Sequence, residues 1–135
     1  MITSARLAAW TPFVQAALRV MTSLLFLQHA LTKLLGWPPG PPGQMPIASL
    51  LGVAAIIELA TGVLVGLGLF TRCAAFVASG LMAFAYFIAH APRGFFPASN
   101  GGEGAVLYCF IFLFFAAAGP GALALDNLRS KASAV

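Results

Sequence analysis

Residues 47–69 read IASLLGVAAIIELATGVLVGLGL, and this stretch decides the class of fold. It contains one charged residue, Glu58, among otherwise apolar and small side chains. A helix needs roughly 20 predominantly apolar residues to cross the hydrocarbon core of a bilayer. The stretch is long enough to do so, and it therefore predicts a transmembrane helix.

The rest of the chain has the same character. Of its 135 residues, 61% are hydrophobic and 7% are charged, and the mean hydropathy is +0.97. Soluble domains carry about a quarter charged residues because their surfaces face water. The composition therefore predicts an all-α membrane protein whose main partner is the lipid bilayer. The length leaves room for one domain, residues 1–135.

Proline and glycine divide the chain into segments. The segments that interrupt the helices are WPPGPPG at residues 37–43, the stretch at residues 92–102, and Gly119-Pro120-Gly121. Proline removes backbone donors and ends helices. We predict a bundle of four transmembrane helices in up-down order, followed by a short polar tail. The helices are expected at about residues 13–35, 47–69, 73–91 and 101–118.

Basic residues predict the orientation, because they are enriched on the cytoplasmic side of membrane proteins. Placing both termini in the cytoplasm puts the larger basic set inside. That set is Arg6, Arg72, Arg129 and Lys131, and the outside set is Lys33 and Arg93. A nucleic-acid partner requires a clustered basic face. These residues are scattered, so we expect no nucleic-acid binding.

The first predicted helix carries a polar stripe. Its members are spaced by four and three residues, so they lie on one face of a helix. They are Gln15, Arg19, Thr22, Phe26, His29 and Lys33. Polar groups are costly in hydrocarbon. We therefore expect the stripe to face the bundle interior or a water-filled cavity, and the rest of the helix to face lipid.

Glu58 needs a partner for the same reason. Helical side chains lean toward the N-terminus of their helix. The first two predicted helices are antiparallel, so His29 and Glu58 lean toward each other. We expect His29 to face Glu58, and Arg19 is the second candidate, as the partner in a structural ion pair. Such a pair either holds two helices in register or belongs to a ligand site.

More polar residues gather at the non-cytoplasmic ends of the predicted helices. Together with His29 and Glu58, which lie deeper in the predicted bundle, these polar residues predict a small cavity between helices. Such cavities are a usual place for ligand sites in bundles. The candidate ligand-binding residues are His29, Lys33, Glu58, Tyr86, His90, Arg93, Asn100, Glu103 and Tyr108. Asn100 and Glu103 also have the spacing of a helix N-cap and its reciprocal carboxylate. The two tyrosines also suit a membrane interface.

The sequence offers no metal site and assigns no catalytic residue. Neither cysteine belongs to a CxxC or metal-ligand pattern. Ligation of a haem by His29 and His90 is disfavoured, because their depths differ by about 7 Å in the predicted bundle.

Four stretches resemble the DoxX family of small four-helix bacterial membrane proteins. They are LFLQHALTKLLG (25–36), GVLVGLGLFTR (62–72) with Glu58 before it, HAPRGFFPASNGGE (90–103) and GPGALALD (119–126). The resemblance implies the bacterial inner membrane and an association with redox chemistry. One branch of the family is linked to quinone-dependent thiosulfate oxidation, and another to a complex with superoxide dismutase and a sulfurtransferase. It also implies that His29, Glu58 or Tyr108 could bond the oxygens of a quinone.

Three functions are compatible with these observations. The first is a redox subunit, not an enzyme by itself, that binds a quinone or another small apolar molecule and docks a soluble oxidoreductase. The second is a small transporter or proton-coupled permease that uses the stripe of His29 and Glu58. The third is a structural anchor without activity. A further complex subunit or a second copy of the chain is also an expected partner.

Overall fold

The computed structural model describes residues 4–132, with side chains to residue 130. The side chain of Lys131, part of the orientation prediction, lies outside the described residues. The helices are α1 (Ser4–Leu35), α2 (Leu50–Leu67), α3 (Thr71–Ala85), α4 (Pro97–Asn100), α5 (Glu103–Ala118) and α6 (Leu125–Ala132). A π-turn at Tyr86–His90 and a 3-10 turn at Ala91–Arg93 continue α3. No strand occurs within residues 4–132, so the prediction of an all-helical chain is confirmed.

Three helical stretches are long and apolar enough to cross a membrane, namely Ser4–Leu35, Leu50–Leu67 and Thr71–Arg93. The fourth predicted span corresponds to α5, which is apolar but has 16 residues. At 1.5 Å per residue α5 is about 24 Å long. The described helices identify a membrane protein, and the fourth crossing stays a prediction.

α1 begins well before the predicted start at residue 13. Residues 4–14 are all exposed, and we call them the N-terminal arm. α1 has 32 residues, whereas α2 has 18. The guanidinium of Arg19 on α1 lies against Gly68, the residue that ends α2. The arm is about 16 Å long and extends beyond the end of α2. Its exposed apolar side chains are Leu7, Trp10, Phe13 and Val14.

Helices α1, α2, α3 and α5 form the bundle. α1 packs along α2 and α3 packs along α5, whereas α1 and α5 approach each other at few positions. Alanines on α3 leave space for Phe112 and Phe115 of α5, and both phenylalanines are fully buried. The ring of Phe26 on α1 meets that of Phe112 edge-on, with centroids 4.7 Å apart. We call the narrow gap between α1 and α5 the α1–α5 seam.

The predicted polar tail is in fact anchored to the bundle and ends in α6. Arg19 donates to the carbonyl oxygens of Pro120 at 2.5 Å and Leu123 at 2.8 Å. Gln15 donates to the carbonyl oxygen of Gly119 at 2.7 Å. We call residues 119–132 the C-terminal segment. The bundle end that holds this segment and Gly68 is the terminal end, and the opposite end, with residues 36–49 and 86–102, is the loop end.

Asp126 attaches the C-terminal segment to the start of α3. Its carboxylate accepts hydrogen bonds from the backbone N–H groups of Phe70 at 2.8 Å and Thr71 at 2.9 Å. Burial alone would raise the pKa of Asp126, but these hydrogen bonds and the nearby Arg129 outweigh burial and lower it. The carboxylate thus caps α3, whose own N-cap residue, Phe70, has no side-chain acceptor to offer.

Asp126→Asn is expected to lower the free energy of unfolding by about 1 kcal/mol at pH 7. A carboxyl group whose pKa is lower in the folded protein stabilises it above the unfolded pKa of about 4. That stability is lost as the pH falls through the folded pKa. The melting temperatures of parent and variant in detergent should therefore converge below about pH 4. Glu103→Gln, which removes an exposed carboxylate, is the control, and an equal gap between parent and Asp126→Asn at every pH would contradict the prediction.

Candidate functional site

The partner of Glu58 is Lys33. The Lys33 Nζ and the Glu58 Oε1 are 2.6 Å apart, and the two side chains are 12% and 3% exposed. Lys33 lies one turn beyond His29 on α1, and its long side chain leans back along the helix to the level of Glu58. The prediction that His29 pairs with Glu58 is therefore wrong, because Lys33 takes that place.

The predicted structural ion pair of Arg19 and Glu58 is also wrong. Arg19 is 1% exposed and lies at the terminal end, where it bonds backbone carbonyl oxygens of the C-terminal segment. In the sequence, an acidic side chain is the evident partner for a buried arginine. Carbonyl oxygens that follow the end of a helix supply the same partial negative charge, and residue types do not reveal them.

The second oxygen of Glu58 remains without a partner. Its Oε2 is buried and accepts no hydrogen bond within the described residues. Both His29 and Tyr108 lie within electrostatic reach of this carboxylate. The rings of His29 and Tyr108 are nearly perpendicular, with centroids 5.9 Å apart. A buried carboxylate with one free oxygen is costly unless a donor or a proton reaches it.

The polar stripe of α1 lies only partly in the interior. Arg19, Thr22 and Phe26 are buried, whereas His29 is exposed. His29 and Tyr108 belong to α1 and α5, so they face each other across the α1–α5 seam. The charges of Lys33 and Glu58 lie within electrostatic range of His29.

The predicted polar cluster at the loop end proves to be mainly a brace for the loop. Asn100 is 3% exposed, and its Nδ2 donates to the carbonyl oxygen of Gly94 at 2.8 Å and to Tyr86 at 3.3 Å. Tyr86 in turn donates to the carbonyl oxygen of Phe95 at 3.1 Å. The Nδ1 of His90 lies 3.3 Å from the backbone oxygen of Asn100. These three side chains come together, but their polar atoms are engaged by the loop.

The remaining two candidates of the cluster are exposed. Neither Arg93 nor Glu103 takes part in a hydrogen bond or ion pair within the described side chains. The predicted capping by Asn100 and Glu103 is wrong, because Gly102 is the N-cap of α5. The Asn100 Oδ1 instead accepts a hydrogen bond from the N–H of Gly102 at 2.8 Å. The structure thus brings Lys33, Glu58, His29 and Tyr108 together and leaves Arg93 and Glu103 at the surface.

Comparisons with known proteins identify a matching family and a related sequence. The family model described as DoxX matches residues 14–91, which include α2, α3 and most of α1. A Haemophilus influenzae protein that carries the name "Uncharacterized protein" is 45% identical over 127 residues, covering 90% of this chain and 94% of its own. No solved structure matches the chain.

Proposed function

Since the chain belongs to the DoxX family, we propose that it is an integral membrane subunit of a redox system. In this proposal the α1–α5 seam binds a quinone or another small apolar molecule that carries a polar oxygen. A soluble oxidoreductase docks on the membrane protein and exchanges electrons with the bound molecule. The buried, unpartnered Oε2 of Glu58 is the observation that carries the proposal.

The groups around the Glu58 oxygen suit the two states of such a molecule. The hydroxyl of a quinol donates a hydrogen bond, and the free Oε2 accepts one. The carbonyl of a quinone accepts a hydrogen bond, and His29 and Tyr108, which lie within electrostatic range of the same carboxylate, carry donors. Lys33 remains bonded to the other oxygen and keeps Glu58 in place.

The route to the site favours an apolar molecule over a water-soluble one. α1 and α5 contact each other at few positions, and His29 is exposed at the seam between them. A molecule dissolved in the bilayer can therefore reach His29 sideways. The polar residues of the loop end, by contrast, are engaged in bracing the loop.

We further propose that α5 crosses the membrane and that both termini are cytoplasmic. The carbonyl oxygen of Pro12 accepts a hydrogen bond from the N–H of Ala122 at 2.9 Å, so α1 and the C-terminal segment meet at the same end of the bundle. Arg6, Arg72 and Arg129 lie toward the terminal end, against Lys33 and Arg93 toward the loop end. Basic residues are enriched on the cytoplasmic side, which favours a cytoplasmic terminal end.

A reporter fused to the C-terminus tests this orientation. Fusions to a cytoplasmic fluorescent reporter should be active, and fusions to a phosphatase that works only in the periplasm should be inactive. The reverse pattern would contradict the proposed orientation. A phosphatase inserted after Gly94, in the loop end, is the matched control and should be active.

Binding of a quinone is the direct test of the function. Mass spectrometry of the organic extract of purified protein should detect a quinone, and a short-chain quinone should rebind to the emptied protein. His29→Gln and Tyr108→Phe are expected to weaken binding about tenfold each, the effect of one lost hydrogen bond to a buried group. The matched controls are His90→Gln and Tyr86→Phe, which alter the loop brace and should bind as the parent does. Equal binding by all four variants, or none by the parent, would contradict the proposal.

A structural anchor is the second candidate function. The 2.6 Å bond between Lys33 and Glu58 joins α1 directly to α2, and it favours this alternative. A variant that lacks the charges of both Lys33 and Glu58 separates the structural role from the ligand-binding role.

A further inference from the structure

Two connected grooves run along the outside of the bundle, away from the α1–α5 seam. The wider one, of about 850 Å³, lies at the terminal end between α1, the end of α2 and α6. The narrower one, of about 300 Å³, continues between α1 and α2 along Leu24 and Gly62. Val20, Gly66 and Leu67 line both grooves, so they form one surface.

Two buried polar atoms on this surface have no partner within the described residues. They are the Nε of Arg19 in the wide groove and the Oγ of Ser23 in the narrow one, and both residues are 1% exposed. The terminal nitrogens of Arg19 already bond the carbonyl oxygens of the C-terminal segment. The Nε–H of this guanidinium is a further donor, on a residue that lines an otherwise apolar groove.

Arg19 lies level with the end of α2, where we expect the bilayer to change from hydrocarbon to headgroups. It contacts Gly68, where α2 ends, and residues 120–123, which follow the end of α5. From Arg19 the narrow groove extends toward the middle of the bundle as far as Leu27, about 12 Å along α1. The surface is thus wide and cationic near the bilayer boundary, and narrow and apolar below it.

No acidic side chain lines the wide groove, although Asp126 lies within electrostatic range of Arg19. Arg19 is the one charged residue among those that line it. The carboxylate of Asp126 is engaged with the N–H groups of Phe70 and Thr71 at the start of α3. An occupant that complements the groove therefore carries an anionic group at one end and an apolar chain at the other.

We propose that an anionic glycerophospholipid from the leaflet at the terminal end binds in these grooves. One acyl chain lies between α1 and α2 beside Leu24 and Gly62. The phosphate or the ester oxygen next to it accepts a hydrogen bond from the Nε of Arg19. Leu125 and Leu128 of α6 cover the glycerol side, so the lipid also holds the C-terminal segment against α1.

The test uses full-length protein in detergent, with phosphatidylglycerol and phosphatidylcholine of identical acyl chains as probes. Phosphatidylglycerol should remain bound in native mass spectrometry and raise the melting temperature, and phosphatidylcholine should do neither at the same mole fraction. Val20→Trp fills the junction of the two grooves and is expected to weaken retention of phosphatidylglycerol about tenfold, the effect of displacing two methylenes. Val14→Trp, an exposed valine of α1 outside both grooves, is the matched control and should retain the lipid.

A second pair of variants tests the headgroup without filling the groove. Leu128→Glu places a carboxylate at the mouth and should weaken phosphatidylglycerol binding, whereas Leu7→Glu, on the exposed N-terminal arm, should not. Equal binding of the two lipids by the parent would overturn the proposal, as would full retention by both Val20→Trp and Leu128→Glu. Loss of a dimer in Val20→Trp, with lipid binding unchanged, would assign the groove to a second copy of the chain and also overturn it.

Discussion

Glu58→Gln is expected to lower the free energy of unfolding by about 3 kcal/mol, because the ammonium group of Lys33 then remains buried without its counter-charge. Both side chains of this pair are withdrawn from solvent, at 12% and 3% exposure. Losing one partner of such a pair is far more damaging than losing an exposed salt bridge. Denaturant unfolding in detergent measures the loss, and a variant as stable as the parent would show that the pair is not charged in the folded protein.

Removing both charges separates the structural role from the ligand role. Lys33→Met with Glu58→Gln leaves no stranded charge, so most of the lost stability should return. If the carboxylate serves a ligand, this stable double variant should no longer retain the quinone. A double variant that is stable and still retains the quinone would leave only the structural role for the pair. Thermal stability and quinone retention must therefore be measured on the same preparation.

Arg19→Gln is expected to cost about 3 kcal/mol as well, because two hydrogen bonds from an ionised group are lost and each contributes about 1.5 kcal/mol or more. The carbonyl oxygens of Pro120 and Leu123 lose their donors, and the C-terminal segment should detach. Hydrogen exchange measured by mass spectrometry should show faster exchange of the amides of residues 119–132.

Arg72→Gln is the matched control for Arg19. Arg72 also donates to backbone carbonyl oxygens, those of Ala116 and Ala117, but its side chain is exposed. We expect it to cost about 1 kcal/mol or less, the usual contribution of a cation near a helix C-terminus. Equal effects of the two variants would show that the burial of Arg19 contributes nothing to the attachment of the C-terminal segment.

Much of the helical arrangement was predictable because hydrocarbon penalises polar groups and proline ends helices. The stripe of α1 placed Arg19, Thr22 and Phe26 in the interior, as observed. The same cost indicated that Glu58 must have a partner. The predicted partner was wrong. The position of a side chain on a helix indicates the direction in which it leans, but it does not indicate how far a flexible lysine side chain extends.

The missed features depend on contacts between distant segments. α6 is a polar helix of eight residues, and a helix this short is marginal without tertiary support. That support comes from Asp126 on α3 and from Arg19 on the residues before α6, which local pattern does not reveal. The exposure of His29 follows from the small number of positions at which α1 and α5 meet, which no periodicity within α1 can indicate.

The bonds of Arg19 to the C-terminal segment also have a consequence for biogenesis. A separation of 101 residues lies between Arg19 and its acceptor on Pro120. During synthesis α1 leaves the ribosome with an unmatched guanidinium, and α2 to α5 are made before its carbonyl partners emerge. Membrane insertion machinery or lipid headgroups must solvate Arg19 throughout that interval. A chain truncated before Gly119 would reach the membrane complete in its long helices and still be unable to close its fold.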